Sequence, residues 1–356
     1  CWTDIWIMNH IEIAGKSIGN GHPCFVIAEA GVNHNGDVSL AKRLIDVAVA
    51  SGADAVKFQT FNSEMLVAPT APKAEYQIDS KLDTESQKDM LRNLELPDED
   101  FANLETYARE SGIIFLSTPF DHDSVDLLDK LGVPAFKIGS GEVGNIPLLK
   151  HISSKNKPVI LSTGMSYLNE VARAVSAFRN SGNHNLVLLH CVSAYPTQPK
   201  DVNLKAMETL EQAFEVPIGF SDHTQGLEVP FAAVARGAKV IEKHFTIDRN
   251  MSGPDHKASL EPDMLRRMVG GIRTIEKAIG NGIKEPTDSE QNIREVAHRS
   301  IYIRKSITEN TILSEDDLVC LRPSGGIPPH KLDKVVGKHT LRPLRAGTLL
   351  NWGDIK

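Results

Sequence analysis

Between residues 24 and 280 the chain alternates short apolar runs with amphipathic stretches, and this rhythm limits the possible folds more than any other feature. The runs are Phe25–Ala28, Ala55–Phe58, Ile113–Ser117, Ala135–Ile138, Val159–Ser162, Leu186–His190, Ile218–Ser221 and Val240–Lys243, which makes eight expected strands. Each is apolar on successive residues instead of every second one, the pattern of parallel strands covered on both faces. The stretches between them carry helical spacing. Leu40, Leu44 and Val47 are followed by Gly52; Phe101, Leu104 and Ala108 lie between Pro97 and Gly112; Leu168, Val171, Val175 and Phe178 run up to Gly182. A last stripe, Leu265, Met268, Val269, Ile272, Ile275 and Ile279, starts behind Glu261-Pro262 and stops at Gly280. Proline in the first turn and glycine past the end are the expected helix boundaries.

Eight strand–helix units over roughly 250 residues have the size of a TIM (β/α)8 barrel. An open doubly wound sheet would need a Gly-rich phosphate turn after its first strand. That turn reads Glu29-Ala30-Gly31-Val32-Asn33-His34-Asn35-Gly36, which is not GxGxxG. Residues 1–23 are expected to form an extension and a hairpin, with Ile11–Gly21 turning at Gly19-Asn20-Gly21 and plugging the barrel bottom. Met8 is the expected natural start. Residues 24–280 form the expected barrel, and residues 281–297 turn polar and read as a linker. Residues 298–356 carry short β-like runs at Ile301–Ile303, Leu318–Leu321 and Leu349–Leu350. About 60 residues is marginal for an independent core, so this module is expected to dock on something.

A net charge of −7 argues against a nucleic-acid or anionic-membrane surface, so an anionic substrate would need a local cluster of cations. No run of about 18 apolar residues is present to span a bilayer. The four cysteines (Cys1, Cys24, Cys191 and Cys320) lack CxxC spacing and read as reduced thiols of a cytoplasmic protein.

Functional groups of a TIM barrel gather at the C-terminal ends of its strands. Those ends carry Glu29; Lys57 and Gln59; Ser117 and Thr118; Lys137, Ser140 and Glu142; Ser162 and Thr163; His190, Ser193 and Tyr195; Ser221, Asp222 and His223; Lys243 and His244. A barrel with only a structural role has no reason to concentrate ionisable groups on one rim. Lys57 and Lys137 each interrupt an apolar run, where a lysine is costly to bury without an anion. An internal salt bridge to Glu29 or Glu142 would account for them. The functional reading is that both ammonium groups, with the hydroxyls of Ser117, Ser140, Ser162 and Ser221, bind a phosphate and a neighbouring carboxylate. His223 and His244 end neighbouring strands, close enough to share a divalent ion. Mn²⁺ fits that donor set best, with Zn²⁺, Co²⁺ and Mg²⁺ as alternatives. His34, His190 and His256 are read as orienting neighbours.

Several motifs then stand in order along the chain: Ala-Glu-Ala-Gly-Val-Asn-His-Asn-Gly (28–36), Ala-Val-Lys-Phe-Gln-Thr-Phe (55–61), Ala-Pro-Lys-Ala-Glu-Tyr-Gln (71–77), Leu-Ser-Thr-Pro-Phe-Asp (116–121), Lys-Ile-Gly-Ser-Gly-Glu (137–142), Gly-Phe-Ser-Asp-His-Thr (219–224), Ile-Glu-Lys-His-Phe-Thr (241–246) and Leu-Arg-Pro-Ser-Gly-Gly-Ile (321–327). In these the chain resembles the sialic acid synthases, meaning N-acetylneuraminate synthase and its legionaminic and pseudaminic acid relatives. The resemblance implies a TIM barrel followed by an antifreeze-like (SAF) domain, assembled as a domain-swapped homodimer. It implies that Lys57, Thr118, Lys137, Ser140, Ser162, Ser193 and Ser221 bind phosphoenolpyruvate, and that His223 and His244 hold the metal. Glu29, Gln59, Glu142, Tyr195 and Asp255 would serve the sugar and the catalysis, and Arg322 would reach the partner's sugar. The implied reaction condenses phosphoenolpyruvate with N-acetylmannosamine to N-acetylneuraminate and phosphate, with C–O cleavage. The alternative within the family is a 2,4-diacetamido-trideoxyhexose acceptor. Three other readings compete: a Schiff-base aldolase using Lys57 or Lys137, a 3-deoxy-octulosonate-8-phosphate type synthase, and a non-enzymatic binding protein built on the SAF domain.

Overall fold

The computed structural model describes residues 10–68, 71–73 and 86–356. The chain extension through residue 9, and residues 74–77 of the Ala-Pro-Lys-Ala-Glu-Tyr-Gln motif, lie outside the described residues. The chain divides into two compact units, Cys1–Gly280 and Asn281–Lys356.

The first unit opens with an antiparallel hairpin, β1 (His10–Ile13) and β2 (Lys16–Gly19). Its turn falls at Ala14-Gly15, both at positive φ (49° and 78°), and not at Gly19-Asn20-Gly21 as expected. Two successive positive φ values match the right-handed twist of a tight hairpin, and here alanine takes the first of them. Eight parallel strands follow: β3 (Phe25–Gly31), β4 (Ala55–Thr60), β5 (Ile114–Pro119), β6 (Phe136–Ile138), β7 (Val159–Ser162), β8 (Leu186–Cys191), β9 (Ile218–Asp222) and β10 (Val240–His244). They hydrogen-bond in the order β5-β4-β3-β10-β9-β8-β7-β6, so β10 beside β3 brings the sheet around into a nearly closed barrel with its seam between β5 and β6. This is the expected TIM architecture.

Strand alternation sorts the apolar residues into two cores. Phe25, Ile27, Ala55, Leu116, Ala135, Ile160, Val187, Leu189 and Val240 fill the lower lumen, where Ile11, Ile13 and Ile18 of the hairpin join them. The hairpin therefore plugs the barrel as the sequence suggests. Val26, Val56, Phe58, Phe115 and Ile241 point outward and pack with the helices. Asp37 caps the helix Val38–Ser51 and Gly52 ends it at φ 76°. Pro97 precedes Asp98–Glu110, and Pro262 opens Pro262–Ile279. Leu168 and Ile279 belong to the apolar stripes but are exposed, because they are the first and last residues of their helices. Among the described residues no helix is long and apolar enough to cross a membrane.

The second unit has a core of its own, built from Ile301, Ile303, Leu313, Leu318, Ile327, Val335, Leu344, Leu350 and Ile355. β11 (Ser300–Ile303) pairs antiparallel with β12 (Leu318–Leu321), and Leu349 bridges to Tyr302. The segment read as a linker contains a capped turn at Thr287–Glu290 and the helix Gln291–Ala297. That helix is held within this unit, since Ser324 donates from its backbone N–H (3.0 Å) and its hydroxyl (2.7 Å) to the Glu295 carbonyl.

The plug makes a stability prediction. Ile13 and Ile18 are fully buried, and removing such a side chain leaves a cavity worth about 2–5 kcal/mol. Ile18→Ala should lower the urea midpoint accordingly, whereas Leu168→Ala on the exposed helix end should leave it nearly unchanged. Equal midpoints for the two variants would show that the hairpin does not seal the barrel.

Candidate active site

Alternation also decides which polar residue at each strand end faces the lumen. On β4 Lys57 and Gln59 point inward with Phe58 outward, and on β5 Thr118 points inward. Glu29, Lys137, Ser162, Ser221, His223 and His244 also face inward, and all line one cavity of about 490 Å³. Ser140, Ser193, Tyr195 and Asp255 reach the same cavity from the loops after β6, β8 and β10.

Some residues named from the sequence lie elsewhere. Ser117 faces outward and shares a 2.7 Å hydrogen bond with Thr60, so it is not part of the anion site. Lys243 also points out of the lumen, pairing with Asp222 and donating to the Thr224 carbonyl at 2.7 Å. His190 is 2.7 Å from the Val202 carbonyl, and His256 is 2.6 Å from Thr246 Oγ1, both anchoring loops. His34 is buried with Nδ1 accepting from the Gly36 N–H, and burial lowers its pKa to about 4. Glu142 does not line the cavity; its carboxylate accepts from Asn145 Nδ2 at 2.7 Å. Arg322 is an exposed residue of the second unit.

The inner end of the cavity is a network of buried charges. Lys57 Nζ lies 2.7 Å from Glu29 Oε2 and donates to Thr118 Oγ1 at 2.7 Å. Lys137 donates to Ser162 Oγ (2.8 Å) and lies 3.3 Å from Glu242. Glu242 also stands 3.9 Å from Lys57 and accepts from Ser221 Oγ at 2.8 Å. The sequence reading missed Glu242. It lies two residues before His244, so strand alternation places both on the same face, and that register was the available signal.

Burial alone would raise Glu242, but Lys137 and then Lys57 override it and hold the carboxyl below its usual range. Glu29 is pushed the other way, to about 7, by burial and the nearby Glu242 against the pull of Lys57. The two lysines are therefore matched by two carboxylates before any ligand arrives, as buried charges require. A bound anion would compete with Glu29 and Glu242 for the same ammonium groups. Beside them, Gly164 allows a close approach, because a Cβ there would fall 2.4 Å from Ser193 Oγ and 3.0 Å from Ser140 Oγ. The Gly164 N–H donates to Ser140 Oγ at 2.9 Å.

The outer end carries the histidines. The His223 and His244 rings are 5.5 Å apart, with the Tyr195 ring 4.1 Å from His223. His223 Nδ1 lies 2.8 Å from the Val192 carbonyl, which makes Nδ1 the donor and Nε2 the nitrogen that would meet a ligand. Burial above all holds the His244 imidazole well below its usual range, and its buried Nδ1 has no hydrogen-bond partner. Asp255 Oδ2 is 3.7 Å from that nitrogen, and burial raises the Asp255 carboxyl to about 6. Among the described residues no group of three or more His, Cys, Asp or Glu is arranged around a single ion. The set fits a divalent ion with two protein nitrogens and its remaining positions open to water or substrate oxygen. Above this lies an apolar wall of Val32, Leu66, Met90, Leu91, Leu94 and Phe120.

Comparison with known proteins places this geometry in a family. Residues 44–284 match the NeuB family and residues 298–356 a SAF domain. The chain is 48% identical to the N,N'-diacetyllegionaminic acid synthase of Legionella pneumophila, over 96% of this chain and 97% of that one. It is 49% identical to the Campylobacter jejuni enzyme of the same name (88% and 94%) and 37% identical to the N-acetylneuraminate-9-phosphate synthase of Homo sapiens (92% and 91%). The crystal structure of N-acetylneuraminic acid synthetase from Leptospira borgpetersenii, in complex with citrate, superposes with a TM-score of 0.71 at 38% identity, over 80% of this chain and 94% of that one. The chain thus belongs to the NeuB family, the sialic acid synthases and their relatives, and carries a SAF domain at its C-terminal end.

Proposed function

We propose that the protein condenses phosphoenolpyruvate with a 2,4-diacetamido-trideoxyhexose, forming a legionaminic-acid-type product and phosphate in the cytoplasm. The observation that carries this is the paired charge layout: two buried lysines at the inner end of one cavity and two imidazoles at its outer end. Two relatives at 48% and 49% identity that are diacetyllegionaminic acid synthases support the acceptor. The apolar wall supports it too, since a deoxy sugar with a second acetamido group offers more methyl surface, worth about 0.8 kcal/mol per buried CH₂. N-acetylmannosamine is the second reading, favoured by the similarity to the Leptospira N-acetylneuraminic acid synthetase.

In this proposal Lys57 and Lys137, with Thr118, Ser140, Ser162, Ser193 and Ser221, fix the phosphate and carboxylate of phosphoenolpyruvate, which is positioning and electrostatic catalysis. Gln59, Tyr195 and Asp255 orient the acceptor. Mn²⁺ held by His223 and His244 would supply Lewis acidity to the acceptor carbonyl. C3 of phosphoenolpyruvate attacks that carbonyl carbon, and positive charge develops at C2. Glu29 stands at the end of β3 to stabilise that charge, and its carboxyl near pH 7 can take the proton of the water that adds to C2. Phosphate then leaves with C–O cleavage. The proposed assembly is a domain-swapped homodimer in which the partner subunit's Arg322 contacts the sugar.

Three measurements check this. Phosphate release from phosphoenolpyruvate should occur with Mn²⁺ and the diacetamido sugar, be weaker with N-acetylmannosamine, and stop on chelation. Full turnover in a metal-free preparation, or none with either sugar, contradicts the reading. Lys57→Ala and Lys137→Ala should raise the KM for phosphoenolpyruvate by far more than that for the sugar. Removing one partner of such a buried charge pair costs about 2–5 kcal/mol, and an effect confined to the sugar KM would put the lysine on the other substrate. Glu29→Ala and Arg322→Ala homodimers should each be nearly inactive, and mixed dimers should regain activity because one site receives both lesions and the other none. No recovery in a sample shown to contain heterodimers rules out the swap.

A further inference from the structure

Asp255 lies on a segment after β10 whose regular structure is limited to the short turn His256–Ala258, so side chains have to hold it. They come from the loop after β3. Asn33, buried at 1% exposure, donates from Nδ2 to the Phe245 carbonyl (2.8 Å) and to Ser259 Oγ (2.9 Å). Ser259 Oγ passes the interaction on, donating to the backbone carbonyl of Asp255 at 2.6 Å. Two residues along, Asn35 donates from Nδ2 to the Ser252 carbonyl (2.8 Å), while its Oδ1 faces His256 Nε2 at 3.2 Å. Gly253 lies between them at φ 140°, and a Cβ there would come within 2.7 Å of Asn35 Oδ1, so only glycine permits the approach.

Asn33 Oδ1 is buried without a partner. Leaving it unpaired is unfavourable, and an apolar side chain of the same shape would avoid that cost. What the amide offers in return is the Nδ2 pair of bonds, one to the end of β10 and one into the Asp255 segment. We propose that Asn33 is a positioning residue for the acceptor end of the site: through Ser259 it fixes the Asp255 backbone, and so the place of the Asp255 carboxylate beside His244. This rests on the reading of Asp255 as an acceptor-binding group. A misplaced carboxylate would weaken acceptor use while leaving the inner lysine site intact.

The test uses the full-length protein with Mn²⁺, phosphoenolpyruvate and whichever of the diacetamido sugar and N-acetylmannosamine turns over faster, comparing Asn33→Ala, Asn33→Asp, Ser259→Ala, the double variant Asn33→Ala/Ser259→Ala, and Asp255→Asn. Asn33→Asp keeps the shape but removes both N–H donors. Ser259→Ala is the mildest change and keeps the test open if an Asn33 variant fails to fold. The kcat/KM for the sugar should fall on the order of tenfold to hundredfold in each relay variant, with the KM for phosphoenolpyruvate within about twofold. The double variant should be no worse than the more impaired single one, because both act through one chain of contacts. If Asp255→Asn impairs sugar use while folded Asn33 and Ser259 variants keep wild-type sugar kinetics, the inference fails and the site reading stands. If Asp255→Asn leaves sugar kinetics unchanged, the site reading fails and takes the inference with it. Additive losses, or equal losses toward both substrates, would make Asn33 a general structural residue and overturn the proposal.

Discussion

A lysine ammonium buried in a barrel lumen has to be met by a carboxylate, and the upper lumen here is arranged around that requirement. Glu29 on β3 meets Lys57 on β4, its neighbour in the sheet. Glu242 on β10 meets Lys137 on β6, and these strands are separated by three others in the ladder. The second contact therefore crosses the lumen and exists only because the sheet curls round. In an open sheet Lys137 and Glu242 would be stranded on distant strands, each an unpaired charge. Barrel closure and the charge network are one constraint seen from two sides.

The same network sets the chemistry that the lumen can support. Two ammonium groups already matched by two carboxylates present little net charge, so an incoming anion gains only what it can win from Glu29 and Glu242. The two carboxylates differ in how readily they yield. Glu242 is held ionised by both lysines and Ser221, whereas Glu29 is raised to about 7 and can take up a proton near neutrality. Two carboxyls pushed in opposite directions within one site are the usual arrangement for a group that moves a proton beside one that does not.

Much of this was legible in the sequence, and the limits of legibility have physical causes. Unbroken apolar runs such as Val159–Ser162 read directly as strands because both faces are covered, and Gly52 read directly as a helix stop. The hairpin turn was misplaced because Gly19-Asn20-Gly21 has the stronger turn composition, while the chain turns at Ala14-Gly15, where alanine takes a positive φ. Ser117 and Thr118 are adjacent hydroxyls at a strand end, and only the inward register of β5 separates the one that bonds Thr60 from the one that meets Lys57. Glu242 was overlooked for the same reason, since Glu-Lys-His offers three polar residues in a row and composition does not say which two share a face. Contacts such as Asn33 to Ser259 join residues 226 apart, and no local pattern carries them.

The placement of the groups also explains why different parts of the site are held in different ways. Lys57, Lys137, Glu29, Glu242, His223 and His244 stand on strands or at their ends, where the backbone ladder fixes them and alternation aims them inward. Residues on the rim loops have no ladder behind them, so their precision has to come from other side chains, as Ser140 and Ser193 show in crowding against Gly164. Loops fixed in this way can change their contacts without disturbing the barrel beneath. The wall of Val32, Leu66, Met90, Leu91, Leu94 and Phe120 belongs to this outer layer, drawn from loops and short helices after β3, β4 and β5. A family that keeps one condensation while varying the sugar would be expected to vary there and to keep the inner charges, because altering the wall changes a transfer term of a few kcal/mol, whereas removing one inner charge strands another.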